Sequence, residues 1–529
     1  MTRRWFGSTL TPLFLASLIT SWGITQTLGA SLCFSQTSAE RTSPETASTP
    51  LTTEIQPALR WSADAKSGVP YMFVDPQDPA KMQGFELDIM TELAQKMGRK
   101  LVFVQNEWES LVPGLDRGDY DVAANGIEIT PEREEQVLFS LPYYATFEQI
   151  VVHADNEQIR DLQDLSGKKT GTLKASLAHY ILERETQAKI VFYDEEDQGY
   201  TDVANRRIDS FFVDYPIALY YAFPNKKLKA VGPPIGKMLY GIAVSKKRPE
   251  LIPELNRGIK LMNESGSLEK IYAKWNLLHP FTIRELGLKT SEQNNTAELD
   301  KVAQIKNQTL SFRERMVRYA SLMPLLLKGA LTSIQISVIS MFAAIGFGLI
   351  LALMRLYGKG AVSLIGQSIV EFIRGTPLLI QLYLIFFGLP YLGVNLTPFW
   401  AAILGLGLNY GAYEAENYRA GIEAIPKSQL EAAQALALSP FQRFAHVVFP
   451  QAYRIILPPM TNDFISLIKD SSLVSVITMV ELTTIYSQLA STYFDHLGLG
   501  ILVAIIYFAI GYPFVRLARQ LEKNLKKKA

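Results

Sequence analysis

Cysteine is nearly absent. Cys33 is the single one in 529 residues, so no intrachain disulfide can staple the fold and thiol usage does not reveal the redox compartment. Leu32 before it is too large for a typical lipid-attachment box. Histidine is scarce too: five are present, with no HExxH pair and no convincing Ser-His-Asp constellation, so the usual zinc-hydrolase and serine-nucleophile patterns are excluded and an enzyme is not expected. No GxxxxGK[ST] loop occurs. The nearest string, SGKKTGT after Leu165, lacks the upstream glycine, so ATP hydrolysis is not expected of this chain. Neither sign of charge predominates, because 52 Lys and Arg face 51 Asp and Glu, and nothing in the balance suggests nucleic acid or a strongly acidic partner.

What is present is unevenly spread. Charged residues crowd the first 320 positions, whereas Leu331 to Met354 and Leu497 to Val515 carry none. The order reads as soluble domain first, membrane domain second. Residues 1–33 hold two arginines, an apolar run and small residues near Ala30, the pattern of a signal peptide or an uncleaved anchor. Residues 34–57 are rich in Ser, Thr and Pro with few large apolar groups, and form a linker expected to be disordered. From 58 to 278, short apolar runs (LVFV, KIVFY, DSFFVD, YGIAV) alternate with amphipathic helical stretches, which predicts an α/β domain. A polar stretch over 279–320 is a linker with room for an interfacial helix, and 321–522 is an all-α polytopic membrane domain followed by a basic tail over 523–529.

Five apolar segments in the membrane part reach the roughly 20 residues a bilayer requires: about 324–354, 361–390, 397–422, 455–478 and 497–518. With the first domain exported, five spans put the C-terminus in the cytoplasm. The loops at 388–398 and 479–496 lack Lys and Arg, whereas the opposite side holds Arg355, Lys359, Lys427, Arg443, Arg454 and the basic tail. Arg313, Arg315, Arg318 and Lys328 are misplaced by this topology unless an interfacial helix holds them.

The stretch from MQGFELDIM to FSLPYY, continuing to KIYAKW near Trp275, resembles the amino-acid-binding members of the periplasmic binding proteins. The resemblance implies a two-lobed domain, one lobe from about 58–147 plus 237–278 and the other between. The hinge strands then lie near Gln149 to Val152 and Lys229 to Pro233. A zwitterionic amino acid leaving water needs a cation for its carboxylate and acceptors for its ammonium. Arg133 in GIEITPER matches the family's carboxylate clamp, Asp214 its ammonium acceptor and Trp108 its flanking aromatic; Gly126 allows close backbone approach, and Ser176 stands where a Thr often bonds the carboxylate.

The departures bear on ligand choice. Glu128 replaces the usual Ser or Thr, Ala175 replaces a Gly, and no aromatic follows closely on Asp64, Tyr71 being the first candidate. If Asp64, Glu128 and Asp214 all face Arg133, two surplus negative charges favour a cationic or amide side chain, so lysine, arginine or glutamine is expected. Pairing of Glu128 with Lys174 is the alternative.

EFIRGTPLLIQLYLIFFGLP and LEAAQALALSPFQRFAHVVFP resemble the permeases that import histidine, glutamate, glutamine and arginine. The second holds the loop by which such importers engage an ATPase: Glu431, Ala432 and Ala433, then Ala437 where the family has Gly. Ala433 and Ala437 are read as one small-residue helix face; if the family Gly serves a positive φ instead, Ala437 is strained. Glu371 and Arg374, three apart, are expected to pair, and Asn462, Asp463 and Ser466 are candidates for the translocation path. The implied partners are an amino acid ligand, a separate ABC ATPase that uses ATP, a second permease copy, most simply in a homodimer, and membrane lipid. The implied location is the inner membrane, with the binding domain in the periplasm or outside. No metal or cofactor is expected in this chain. The rivals are a ligand-gated channel, whose pore segments interrupt the receptor, and a tethered sensor, whose output domain follows the spans; neither pattern is found.

Overall fold

The computed structural model describes residues 57–66, 69–174, 176–193, 196–289, 292–308 and 310–527. The signal or anchor segment, Cys33, the Ser/Thr/Pro-rich linker up to residue 56, and Ala175 lie outside the described residues.

The binding domain is built on two sheets. Strands β1 (Leu59–Ala63), β4 (Leu101–Gln105), β5 (Val122–Ala123), β6 (Val137–Phe139) and β12 (Ala243–Ser245) form the first, in the order β4-β1-β5-β12-β6. β7 (Tyr144–His153), β8 (Lys169–Leu173), β9 (Lys189–Tyr193), β10 (Ser210–Asp214) and β11 (Leu228–Tyr240) form the second, in the order β11-β7-β10-β8-β9. β7 and β11 pair antiparallel from Leu228 opposite His153 to Tyr240 opposite Tyr144, with two register shifts, and carry the chain out of the first lobe and back. Parallel pairing of β1 with β4 and β5, and of β8 with β9 and β10, requires helical crossovers. These include α1 (Phe85–Lys96), α2 (Leu177–Glu185) and α3 (Glu196–Ala204), while α4 (Tyr215–Tyr221) leads from β10 to β11, and α5 (Leu251–Glu264) and α6 (Ser267–Lys274) return to the first lobe. A short ribbon, β2 (Phe73–Val74) with β3 (Met82–Gln83), projects beside α1.

Large aromatic side chains fill the core where the lobes meet. Trp61, Phe85, Tyr143, Tyr144, Tyr240, Tyr272 and Trp275 are all buried. Tyr144 lies 5.2 Å from Tyr272 and 5.5 Å from Phe85 between ring centroids, at tilted angles that aromatic quadrupoles favour.

Past the domain, α7 (Pro280–Leu286) and α8 (Ala297–Asn307) stay against it. Thr282 Oγ1 donates to the Ala145 carbonyl at 2.7 Å, and Val302 is buried in the domain core. α9 (Phe312–Tyr357) then runs unbroken for 46 residues, so the expected first span and the arginine-rich segment before it are one helix. Its start is fixed by a capping box between Ser311 and Glu314. Arg318 extends 5.2 Å above the Tyr493 ring and donates to Gln308, which accounts for one of the arginines that the charge rule misplaces.

The second apolar segment is broken. α10 (Ala361–Gly375) and α11 (Leu378–Tyr383) meet at Pro377, and the pair 361–375 and 378–392 is bent by 109°. Proline excludes the helical region for Thr376, which is extended at φ −117°, ψ 145°. After α12 (Pro398–Glu423) come α13 (Lys427–Ala435), α14 (Phe449–Asp470), α15 (Leu482–Tyr493) and α16 (His496–Lys527). Among the described residues, α9 and α16 are long and apolar enough to cross a membrane, and the number rises to four if each of two bent pairs counts as one span. α12 has 26 residues but carries Glu414, Glu416, Arg419 and Glu423. It packs tightly on α9: a Cβ at Gly348 would lie 2.9 Å from the Gly411 carbonyl. Buried Glu481 joins three helices. It caps α15 through Thr483 N (2.8 Å) and Thr484 N (3.0 Å), and accepts from Ser333 on α9 (3.1 Å) and Tyr507 on α16 (3.0 Å).

Candidate functional site

A cavity of about 1230 Å3 separates the two lobes. Asp64, Trp108, Gly126 and Glu128 line it from the first lobe, and Ser176, Tyr193 and Asp214 from the second. It continues to the membrane domain, where Tyr383, Phe387, Tyr391, Asn395 and Ser475 complete its wall.

Each anticipated residue has a definite place. Asp64 directly follows β1, and its carboxylate accepts from Lys66 N (2.9 Å), Gln105 Nε2 (3.0 Å) and Trp108 N (3.1 Å), so it orients Trp108. The indole donates to the Asn125 carbonyl at 3.0 Å, leaving its face to the Arg133 guanidinium 5.3 Å from the ring centroid. Gly126 has φ +65°, and an added Cβ would press on Tyr71 at 3.1 Å, so a side chain there meets both strain and crowding. Its amide donates to buried Glu86 at 2.7 Å. Burial pushes the Glu86 carboxyl up to about 7, against the opposing hydrogen bonds from Tyr143, Gly126 and Asn125.

Asp214 ends β10, where Tyr71 donates to it at 2.7 Å and Tyr240 donates from the other side. Burial is the main cause that raises its carboxyl, and the charge of Glu128 adds to it. Ser176 is committed to its own helix: it caps α2 by accepting from His179 N (3.1 Å) and donates to the Leu173 carbonyl (2.8 Å).

Arg133 does not open directly onto the cavity. It stands behind Glu128, paired to Glu128 Oε2 and donating to the Glu128 carbonyl at 3.1 Å. Pairing of Glu128 with Lys174 is therefore corrected: five residues away across the Thr130 turn, Arg133 reaches the carboxylate first. Glu128 Oε1 accepts from Leu177 N at 3.3 Å, across the cleft at the start of α2.

Three site residues were not singled out from sequence. Glu148 on β7 is fully buried opposite Asp214, with Oε2 lacking a hydrogen-bond partner; burial and the charges of Asp214 and Glu128 hold its carboxyl well above the usual range. A lone carboxylate inside the apolar run TFEQIVV was the available clue. Tyr240 and Glu86 gave none, because their roles depend on β11 and α1 crossing back to the site.

In the membrane domain, Asp463 accepts from Asn417 on α12 at 2.8 Å, while Asn462 and Ser466 on the same helix, α14, are exposed. No ion pair joins Glu371 to Arg374 among the described residues. Gln367 donates to Glu371 at 2.7 Å, and Arg374 reaches over the Tyr413 ring at 5.1 Å, so the expected pair is corrected in favour of contacts to separate partners. The loop after α12 also differs from the expected small-residue face. α13 ends at Ala435, Ala433 turns inward, and Ala437 lies beyond the helix at φ +54°. Ala437 N donates to Gln434 O (2.9 Å) and Leu438 N to Ala433 O (3.2 Å), a Schellman cap that places Ala in the conformation glycine normally takes. Glu431, Ala432 and Leu436 are exposed around it.

A cleft for a small polar ligand, joined to a polytopic helical domain by one wall, defines a binding-protein-dependent membrane transporter. Residues 62–278 match the bacterial extracellular solute-binding proteins, family 3, and residues 344–527 match the binding-protein-dependent transport system inner membrane component. The membrane part is 38% identical over 187 residues to the probable amino-acid ABC transporter permease protein YckA of Bacillus subtilis, covering 35% of this chain and 83% of that protein. It is 35% identical over 205 residues to the glutamine transport system permease protein GlnP of Escherichia coli, covering 38% and 94%. The binding part aligns with the solved structure of an ancestral arginine-binding protein bound to arginine, at 32% identity over 42% of this chain and 99% of that one, TM-score 0.39. The chain belongs to the amino-acid ABC transporter family, as a family 3 solute-binding domain fused to an inner-membrane permease, and not to an enzyme family.

Proposed function

We propose that this chain captures a basic amino acid or glutamine outside the cell and hands it to its own permease domain, driven by a separate ATPase. The observation that carries the substrate class is the group of three mutually interacting carboxylates, Glu128, Glu148 and Asp214, of which Glu128 is paired with a guanidinium, that of Arg133. In this reading the ligand α-carboxylate goes to Arg133 and the start of α2, and the α-ammonium goes to Asp214, already oriented by two tyrosine hydroxyls. Trp108 flanks the aliphatic stem.

α12 serves as the third of five spans, and its charged C-terminal turns reach the cytoplasmic side with Arg355, which pairs with Glu416 at 2.7 Å. The loop 427–450 presents Glu431, Ala432 and Leu436 to the ATPase, and Ala433 and the Ala437 turn hold its shape. Exposed Asn462 and Ser466 suit a path shared with a second permease copy, most simply in a homodimer.

Calorimetry of the full chain in nanodiscs with arginine, lysine, histidine, glutamine, glutamate and a sugar tests the reading. Binding of arginine, lysine or glutamine, lost in Arg133→Ala, supports it. Binding of glutamate with rejection of those three overturns the charge argument.

A further inference from the structure

Glu128 does more than add an anion to the cleft. Its carboxylate takes up the donors that the proposed reading assigns to the ligand carboxylate: the Arg133 guanidinium through Oε2 and the Leu177 amide at the start of α2 through Oε1 at 3.3 Å. The first donor belongs to one lobe and the second to the other, so this side chain bridges the cleft. Its backbone is held firmly, in a bridge to Tyr240 and between Ile129 N to Leu239 O (2.8 Å) and Gly241 N to Ile127 O (3.1 Å), beside the hydroxyl that holds Asp214. A second buried carboxylate, Glu148, faces the next amide of the same helix, Ala178, and its Oε2 has no hydrogen-bond partner.

We infer that Glu128 is an internal competitor for the ligand carboxylate, which must displace it from Arg133 and α2, and that the displaced Glu128 becomes the counter-ion for a cationic ligand side chain. The inference rests on the carboxylate reading of Arg133. Its physical basis is the cost of an unpaired buried charge. When a zwitterion takes over Arg133, its ammonium satisfies Asp214 and its carboxylate satisfies the guanidinium, which leaves Glu128 without a cation. A neutral or acidic side chain leaves that charge stranded; a guanidinium or ammonium on the ligand neutralises it. Selectivity for basic ligands thus arises from an exchange of partners, and each lobe contributes to it because Glu128 spans both.

The test uses the full chain in nanodiscs, with calorimetric titration of arginine and glutamine on wild type, Glu128→Gln, Glu128→Thr and Arg133→Ala, and peptide-level hydrogen exchange over 176–182 before ligand is added. The expected results are that wild type prefers arginine, that both Glu128 variants shift the arginine-to-glutamine affinity ratio toward glutamine by about tenfold or more, and that exchange at the start of α2 quickens in both. An unchanged ratio in both Glu128 variants, with Arg133→Ala abolishing binding, overturns the exchange but leaves the carboxylate clamp standing. Undiminished binding in Arg133→Ala overturns the clamp and this inference together. Two differently shaped replacements guard against misfolding, and a ratio taken within one preparation is insensitive to the folded fraction.

Discussion

The Arg133 guanidinium meets the carboxylate and the carbonyl of Glu128 and lies over the Trp108 ring. Truncating it strands Glu128 beside Asp214 and Glu148, so Arg133→Ala should weaken ligand binding by about 100-fold, equivalent to about 3 kcal/mol, as read by calorimetry. Removing the Tyr71 hydroxyl (Tyr71→Phe) takes one of two donors from Asp214 and should cost about tenfold in affinity with little change in fold. Glu86 supplies a pH signature. Folded, its carboxyl keeps its proton up to about pH 7; unfolded, it loses it near 4.5. Between those values the folded state binds more protons, so the contribution is full below 4.5 and declines as pH rises to 7, by about 3 kcal/mol at most. Urea midpoints followed by tryptophan fluorescence should fall over that window in wild type and fall less in Glu86→Gln. Trp108 and Asp214, which line the cleft, sit in contiguous motifs that the sequence displays, as does Arg133, which stands behind Glu128. Glu148, Glu86 and Tyr240 were not legible there, since what makes them site residues is pairing across 26 to 66 positions of sequence, which periodicity does not encode.

At the scale of elements, two departures share a cause in backbone chemistry. The segment 361–392 has the composition of one span, yet Pro377 and the extended Thr376 turn it by 109°, a break that a hydropathy window averages away. After α13, a glycine position is filled by Ala437 at φ +54°. The substitution was visible in sequence; which of glycine's two properties mattered was visible only in the Schellman cap. Ala437→Gly should therefore relieve about 1 kcal/mol of strain. Because Leu436 and Glu431 flank the turn on the exposed side, the variant should tighten association with the ATPase subunit, measured by co-purification or by ligand-stimulated ATP hydrolysis, rather than weaken it.

Across the whole molecule, the binding domain and permease meet over a mixed surface. Val74 and Met82 of the β2–β3 ribbon pack with Tyr319, Leu322, Leu489 and Tyr493. Tyr493 donates to the Pro76 carbonyl at 3.1 Å, Gln488 to Gln105 at 3.3 Å, and His496 bonds Asp197 on α3. Phe494 meets the Tyr221 ring edge-on at 5.4 Å, with Lys306 of α8 lying 5.0 Å above Phe494. Burial lowers that lysine to about 8. Both lobes thus touch the α15–α16 corner, and Phe494→Ala combined with His496→Ala should reduce ligand-stimulated ATP hydrolysis by about tenfold while leaving ligand affinity within about twofold of wild type.

The division into an α/β domain and a helical membrane domain was legible from the distribution of charge, the alternation of short apolar runs and the long apolar segments, whereas this junction was not, because residues near 74 and 490 meet only in three dimensions. The connection between the two halves carries a kinetic consequence. Four residues, 308–311, separate α8 from α9, a reach of about 14 Å at full stretch, while α7 and α8 stay folded on the binding domain. Receptor and permease are therefore tethered at a fixed ratio of one to one. Uptake should follow a simple saturation curve in amino acid concentration, with no dependence on receptor abundance and no inhibition by a surplus of empty receptors.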